Sequence, residues 1–314
     1  MRFMSSVRLF PSFTPLTLGM YKDYVAYMGQ FESFSDFNFV SLWSYMGHKC
    51  QISKLNGNLV FQMVDYKTHE PFLAMLGEND IPNTLTQLFK YLRTTQLPKE
   101  VRLVPARMVQ DSLQKHQQFH FVLDRDNFDY IIDVTKFIKL SGNTFKSKRG
   151  DIKKFLTQNH EYESRLLKIH SSQDRGHIMN LVKHWSANGI KSPEHDDVDA
   201  IRKLLSHAHD FKTIDFGIFI GGKLRAFTIN ELVQKDTYMG HFGKADKSFP
   251  GIYSFLEYET ARYMHEKFGC KYLNLQQDLG ILNLRRSKLS YKPCKFLEKG
   301  TITQKATIIN HTKI

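Results

Sequence analysis

The stretch NLQQDLGILNLRRSKLSYKPCKFLEKG, residues 274–300, sets Arg285, Arg286, Lys288, Lys292, Lys295 and Lys299 around a short apolar ladder, with only Asp278 and Glu298 opposing them. Arg and Lys at this density suit an anionic ligand, because charge-assisted hydrogen bonds to phosphate are short and strong. A second basic cluster, Lys146, Lys148, Arg149, Lys153 and Lys154, lies in GNTFKSKRGDIKKFLTQNH. Spacing of three and four residues puts several of these cations on one face of a helix, with Phe145, Ile152, Phe155 and Leu156 as its apolar stripe. Either cluster also reads as a solvated helix face. Acid–base groups lie between the two. His241, in TYMGHFGKAD, can take a proton from an attacking amine, since a free imidazole titrates near ~6.5. Glu231, near the end of the preceding strand, is the other candidate base. Tyr291, just after the helical LNLRRSKLS, is placed to protonate a leaving group. For His241 and Tyr291 the competing reading is a hydrogen-bonded core residue. Lys244 is three residues from His241, so period-2 alternation puts the two on opposite faces of a regular strand, and a bulge is needed for both to face one way.

The bulk properties narrow the setting. The chain has 314 residues, enough for two ordinary domains, with 41% hydrophobic and 13% aromatic residues. Its mean hydropathy of -0.39 argues against a membrane-embedded protein. No apolar run approaches the ~20 residues of a membrane-spanning helix. The N-terminal MRFMSSVRLFPSFTPLTL lacks the continuous apolar core of a signal peptide. A formal charge of +13 favours an anionic partner such as nucleic acid, a lipid headgroup surface or a phosphorylated cofactor. Cys50, Cys270 and Cys294 are far apart and in no metal-ligand spacing, so neither a disulfide framework nor a metal site is expected, and a reducing cytoplasm fits.

The elements that would carry these residues follow a pattern that appears twice. In the second half a strand (EYESRLLKIH) leads to two helices, the first stopping at Gly189. Three strands joined by tight turns come next: TIDFGIFI, LRAFTINELV and TYMGHFGKA. The helix GIYSFLEYETARYMHEKFG, the strand KYLNL, the helix LNLRRSKLS and the strand CKFLEK complete the order β-α-α-β-β-β-α-β-α-β. The first half gives nearly the same order, from helical LGMYKDYVAYMG and DFNFVSLWSYMG through CQISKL, NLVFQMV and PFLAML to FHFVLD. The sequences of the halves do not visibly repeat, so the duplication is one of architecture.

This order predicts an α/β protein with mixed sheets, and it is similar to the order of the GNAT acyltransferase fold; a generic α+β pair without catalytic role is the alternative. Two tandem GNAT-like domains, residues 1–140 and 141–314, are expected with a cleft between them and the basic helix near Phe145–Phe155 bridging them. Pro250 and Gly251 open a helix whose free N–H groups make an anion site. In an acyl-CoA-dependent enzyme of that fold the pyrophosphate would lie there on a glycine-rich loop, but KADKSFPG has one glycine, which disfavours coenzyme A.

Three segments carry a more specific resemblance: HFGKADKSFPGIYSFLEYE, FKSKRGDIKKFL, and the order Asp-Leu-Gly, Leu-Arg-x-x-Lys-Leu-Ser-Tyr-x-Pro from Asp278 to Pro293. Over roughly residues 51–299 the chain resembles the phosphatidylglycerol lysyltransferase C-terminal domain family. The resemblance implies a module that, in membrane-anchored relatives, moves an amino acid from aminoacyl-tRNA onto a lipid headgroup. Where that family has Ser-Val-Asp-Leu-Met-Arg followed by Pro-Asn-Gly, this chain has GHFGKADKSFPG. Lys244 then stands for the arginine and Gly251 for the helix-opening glycine, while His241 replaces the aspartate. The flippase half of those enzymes does not appear in this sequence.

The expectation is an acyltransferase that takes an aminoacyl group from aminoacyl-tRNA to an amine or hydroxyl, with a lipid headgroup among the acceptors. His241, Glu231 and Tyr291 are its candidate catalytic residues, and Lys146, Lys148, Arg149, Lys244, Gly251, Asp278, Arg285 and Lys288 its candidate donor-binding ones. No cofactor is expected, acyl-CoA entering only as an alternative co-substrate. The setting is cytoplasmic, with peripheral contact to anionic lipid. A non-catalytic binder of tRNA or of an anionic membrane surface is the reading from a different class.

Overall fold

The computed structural model describes residues 2–65, 68–116, 118–187 and 195–305. In chain order its elements begin with α1 (Arg2–Ser6), β1 (Thr14–Pro15), α2 (Tyr21–Met28), α3 (Phe39–Tyr45), β2 (Gln51–Leu55), β3 (Asn58–Val64), β4 (Pro71–Leu76), α4 (Ile81–Arg93), β5 (Glu100–Pro105), α5 (Ala106–Gln114) and β6 (Phe119–Leu123). They continue with β7 (Asp129–Asp133), α6 (Val134–Lys139), α7 (Lys146–Gln158), β8 (Tyr162–Leu167), α8 (Ser172–Ala187), α9 (His195–Ser206), β9 (Thr213–Ile220) and β10 (Lys223–Gln234). The last are β11 (Thr237–Ala245), α10 (Ile252–Phe268), β12 (Tyr272–Asn274), α11 (Leu282–Leu289), β13 (Lys295–Leu297) and β14 (Lys299–Gln304). The expected helix stop at Gly189 lies outside the described residues.

The chain forms two compact units, one of residues 1–16, 48–127 and 298–314, the other of residues 17–47 and 128–297. Contacts therefore do not divide it by one cut near residue 140. Each unit holds a seven-stranded mixed sheet among the described residues, in the orders β1-β2-β3-β4-β5-β14-β6 and β8-β9-β10-β11-β12-β7-β13. The two orders match position for position. In each, one parallel pair, β4 with β5 or β11 with β12, sits among antiparallel neighbours. In each, the strand beyond that pair comes from a distant part of the chain: β14 pairs β5 and β6, and β7 pairs β12 and β13.

In the first unit the sheet is built from near-continuous apolar strands, and Leu59, Val60, Phe61, Leu73, Ala74 and Leu76 are fully buried. Leu85, Leu88 and Leu92, at helical spacing on α4, are buried with them.

In the second unit one core cluster joins Ile132, Phe137, Tyr238, Ala261, Met264 and Leu273. Another joins Ile152 and Phe155 of α7 to Ile252, Phe255 and Leu256 of α10, with the Phe155 and Phe255 rings stacked at 4.7 Å. The basic helix thus forms as expected but belongs wholly to the second unit, because its apolar stripe packs on α10. Gly251 makes that packing feasible. It caps α10 at φ 86°, and a Cβ there would meet the Asp151 carbonyl oxygen at 2.0 Å. The glycine is required by backbone conformation and by the close approach of α7. Gly251→Ala is expected to cost at least ~1–3 kcal/mol, as held strain of this kind does. A thermal melt checks it, and an unchanged midpoint would show that α7 and α10 do not meet here.

Candidate active site

The site is built where β11 leaves its neighbours. The parallel ladder of β11 with β12 runs from Thr237–Tyr272 to Met239–Asn274 and ends, while β11 continues to Ala245. On its other edge, β11 pairs Phe242 with Ile229 and Gly240 with Asn230, so His241 is the extra residue of a β-bulge. A bulge re-aims side chains and increases local twist. Phe242 and Lys244 lie opposite Ile229 and Phe227, on the face that Glu231 also occupies, and His241 is turned toward that same face. Both His241 and Lys244 therefore share one side of the sheet, as no regular strand would allow.

His241 and Glu231 are brought together. Imidazole Nε2 is 3.2 Å from Glu231 Oε2, and both side chains are almost wholly buried. Glu231 is fixed by two further donors, Tyr21 Oη at 3.2 Å from Oε1 and Asn38 Nδ2 at 2.8 Å from Oε2. Burial, followed by the charge of Glu231, pushes the Tyr21 phenol well above its ordinary value, which keeps it a donor. On the other side of the ring, Ser41 Oγ lies 3.3 Å from Nδ1 and Gln276 Nε2 lies 3.5 Å from it. Gln276 also donates to the Gly240 carbonyl at 2.8 Å, bridging the gap that opens beyond the β11–β12 ladder. The sequence reading finds His241 and Glu231 but misses Ser41, Tyr21, Asn38 and Gln276. Nothing local marks these four, which reach the site only through tertiary folding.

The remaining candidates divide. Lys244 Nζ pairs with Asp197 Oδ2 at 2.6 Å and sits 3.8 Å from the centre of the Trp185 ring, while Tyr45 donates to the same carboxylate at 2.7 Å. Arg285 grips the fully buried Asp278 through Nε at 2.9 Å and Nη2 at 2.8 Å. Burial alone would raise the Asp278 carboxyl, but bonds from Arg285, Tyr130 and the Gly280 amide outweigh it and hold it below the usual range. Lys288 donates to the carbonyls of Leu275 and Gln277, both at 2.6 Å. Arg149 likewise binds the carbonyls of Leu140 and Gly142. These cations secure the loops before α11 and α7. Lys146 is exposed at the start of α7.

Tyr291 and Lys148 belong to a second polar cluster, which does not include His241. Lys148 Nζ lies 3.6 Å from the centre of the Tyr291 ring, and Tyr291 packs edge-on to Phe137 in the core shared with Tyr238. Burial, then the charges of Glu257 and Asp151, push the Tyr291 phenol far up. Glu257, on α10, is the residue of this cluster that sequence reading passes over. Its signal is a carboxylate flanked by buried Phe255 and Leu256 and sharing a helix face with Thr260, Ala261 and Met264. Burial pushes the Glu257 carboxyl up to about 7 against Lys148 and Lys288. Burial also pulls the Lys148 ammonium down to about 8 against Asp151 and Glu257.

A family model described as phosphatidylglycerol lysyltransferase, C-terminal, matches residues 30–299. A conserved protein of unknown function from Bacteroides thetaiotaomicron is 25% identical, with a TM-score of 0.80 over 93% of this chain and 99% of its own. A domain described as the C-terminal part of a lysylphosphatidylglycerol synthetase from Agrobacterium fabrum is 13% identical, with a TM-score of 0.64 over 92% of this chain and 93% of its own. The L-PGS structure from Bacillus licheniformis is also 13% identical, with a TM-score of 0.59 over the same shares. At that identity the last two speak to fold alone: the two mixed sheets with their flanking helices are GNAT-like. No curated protein matches the sequence.

Glu257 gives the second cluster a measurable signature. Its carboxyl titrates near 7 in the fold against an ordinary 4.5, so its contribution to stability is full below 4.5 and is lost as pH rises through 7. Lys148 acts at higher pH, its contribution being full above 10.5 and lost as pH falls through 8. Melting temperatures of Glu257→Gln and the unaltered protein should diverge in favour of the variant from pH ~4.5 to ~7. A constant difference over that window would mean that the carboxyl is already ionised in the fold.

Proposed function

From membership of the phosphatidylglycerol lysyltransferase C-terminal family, to which this chain belongs, we propose that it is an aminoacyltransferase. It carries an amino acid from the ester of aminoacyl-tRNA to an amine or hydroxyl acceptor, a lipid headgroup among the candidates. The observation that carries the reading is the buried His241–Glu231 pair at the bulge of β11, beside the point where β11 and β12 part. Acyl transfer needs a base for the proton of the attacking group and donors for the oxygen on which negative charge develops. With its Nε2 proton held by Glu231, the imidazole presents Nδ1 as the base. The Gln276 amide, 3.5 Å from that nitrogen, is a side-chain N–H donor beside the base.

Several features favour tRNA over coenzyme A as donor. The loop before α10 has one glycine where a pyrophosphate loop needs several, and that glycine is occupied by the approach of α7. A charge of +13 suits a polyanion. It also suits peripheral contact with anionic lipid, in keeping with the finding that no helix among the described residues is long and apolar enough to cross a membrane. Of the candidate cations, Lys146, exposed on α7, is the one left open to the donor's phosphates, since Lys244 is buried and paired with Asp197.

Two measurements test the proposal. Filter binding of charged tRNA should weaken steeply with added salt, each phosphate contact adding about 0.9 to the slope for a duplex and about 0.7 for a single strand. Micromolar acetyl-CoA binding by calorimetry, with a flat salt response for tRNA, would reassign the donor. His241→Gln should lower single-turnover transfer by ~10²–10⁴ with tRNA binding intact, the usual share of a general base. An unchanged rate would remove His241 from the chemistry.

A further inference from the structure

Ser41 completes an arrangement that direct transfer does not require. Its hydroxyl lies 3.3 Å from His241 Nδ1, and Nε2 of the same ring lies 3.2 Å from Glu231. A carboxylate can only accept, so the Nε2 proton is directed to Glu231 and Nδ1 is left with its lone pair toward the serine. Ser41 is on the first turn of α3, where a helical serine ordinarily bonds back to a carbonyl of the preceding turn or faces water. Here its residue is buried and its hydroxyl faces an imidazole. One side chain orients both ends of the chain of groups: Asn38 Oδ1 accepts from the Ser41 backbone N–H at 3.0 Å, and Asn38 Nδ2 donates to Glu231 at 2.8 Å. Tyr21 fixes the second carboxylate oxygen. A hydroxyl, a base with the right lone pair and an acid held by two independent donors is the combination that activates a serine, and contacts of this kind are often somewhat long before substrate binds.

We propose that Ser41 is a nucleophile and that transfer proceeds in two half-reactions through an ester on its Oγ. This deepens the aminoacyltransferase reading and rests on it for the identity of the donor. In the first half-reaction His241 Nδ1 takes the hydroxyl proton as Oγ bonds to the carbonyl carbon of the donor ester. The bond from that carbon to the donor's alkoxide oxygen breaks, and the proton passes to the departing oxygen. In the second, Nδ1 takes a proton from the acceptor amine or hydroxyl as that group bonds to the carbonyl carbon. The Oγ–carbon bond breaks and the proton returns to Ser41. Charge and atoms balance without any further reagent. The Gln276 amide, which together with Ser41 lies within 3.5 Å of Nδ1, supplies an N–H for the oxygen on which negative charge develops.

The full chain treated with a fluorophosphonate probe should gain one adduct, mapped by peptide mass spectrometry to Ser41. p-Nitrophenyl acetate should release a burst of about one equivalent of nitrophenol per chain, as an accumulating acyl-enzyme does. Ser41→Ala should lose both signals, His241→Gln should slow the burst by ~10²–10⁴, and Ser41→Cys should form a thioester instead. Thermal melts of the Ala and Cys variants establish that the fold is retained. Folded wild-type protein without a Ser41 adduct, or a burst that Ser41→Ala keeps, overturns the proposal. The two readings fail separately. Transfer from charged tRNA that Ser41→Ala retains removes the covalent step and leaves the aminoacyltransferase, whereas a Ser41 adduct without transfer from charged tRNA keeps the nucleophile and removes the donor.

Discussion

A carboxylate taken out of water must be met by donors or give up its charge, and the second unit is organised around that requirement. Asp129 receives the backbone and side chain of Ser35 at 2.7 and 2.6 Å and the amide of Asn274 at 3.2 Å. Asp278 receives Arg285, Tyr130 and the Gly280 N–H. Glu231 receives Tyr21, Asn38 and His241. The donors come from segments far apart in the chain, the turn and helices of residues 21–41, strand β7, and the loop from Asn274 to α11. Satisfying the buried acids therefore fixes where those segments lie, and with them the imidazole. Where fewer donors arrive the neutral acid is favoured: burial pushes Glu257 up to about 7 and Asp215, whose Oδ1 has no partner, up to about 8.

The duplicated architecture is not a duplicated site. Strand β4 occupies in the first sheet the place that β11 has in the second, as one member of the parallel pair, yet β4 pairs β3 without interruption from Pro71–Val64 to Leu76–Leu59. It carries only apolar side chains, PFLAML. Strand β11 has an extra residue, two glycines that bare its other face, and His241 and Lys244 on the side of Glu231. Regular pairing stabilises a core, whereas a bulge gives up one ladder pairing to aim a side chain. The same topology thus carries a regular apolar strand in one unit and a bulged strand with a buried His241–Glu231 pair in the other.

Most elements are legible from local pattern, because strand alternation and helical spacing are set by nearest neighbours. TIDFGIFI and TYMGHFGKA coincide with β9 and β11, and NLVFQMV and PFLAML with β3 and β4. What local pattern does not carry is membership. Strands β7 and β14 are short runs whose sheet is chosen by distant partners, so a boundary near residue 140 looks natural in sequence while contacts cut the chain elsewhere. The bulge is equally silent, since an extra residue changes no composition. His241 and Glu231 stand out as titratable groups on apolar strands. Ser41, Asn38 and Gln276 are ordinary polar residues until the fold sets them around the ring.

The cations that draw the eye in the sequence turn out to be mostly structural, and this bears on how the site is held. Arg285, Lys288 and Arg149 use their donors on a buried carboxylate or on loop carbonyls. The loop that Lys288 clamps contains Gln276 at φ 59° and Leu279 at φ 54°, left-handed conformations that side-chain-bearing residues adopt at a cost. Such strain persists only when the surroundings over-determine it. Here Lys288 binds two of the loop's carbonyls, Asn274 Oδ1 accepts from the Gln276 N–H at 2.7 Å, and the Tyr130 N–H donates to the Gln276 carbonyl at 3.2 Å. The product of that bracing is one neutral amide, Gln276 Nε2, held against the Gly240 carbonyl at the edge of the bulge and beside His241. Charge is spent on the scaffold, and the groups set around the His241 ring are an amide, a hydroxyl and a carboxylate held by donors of its own.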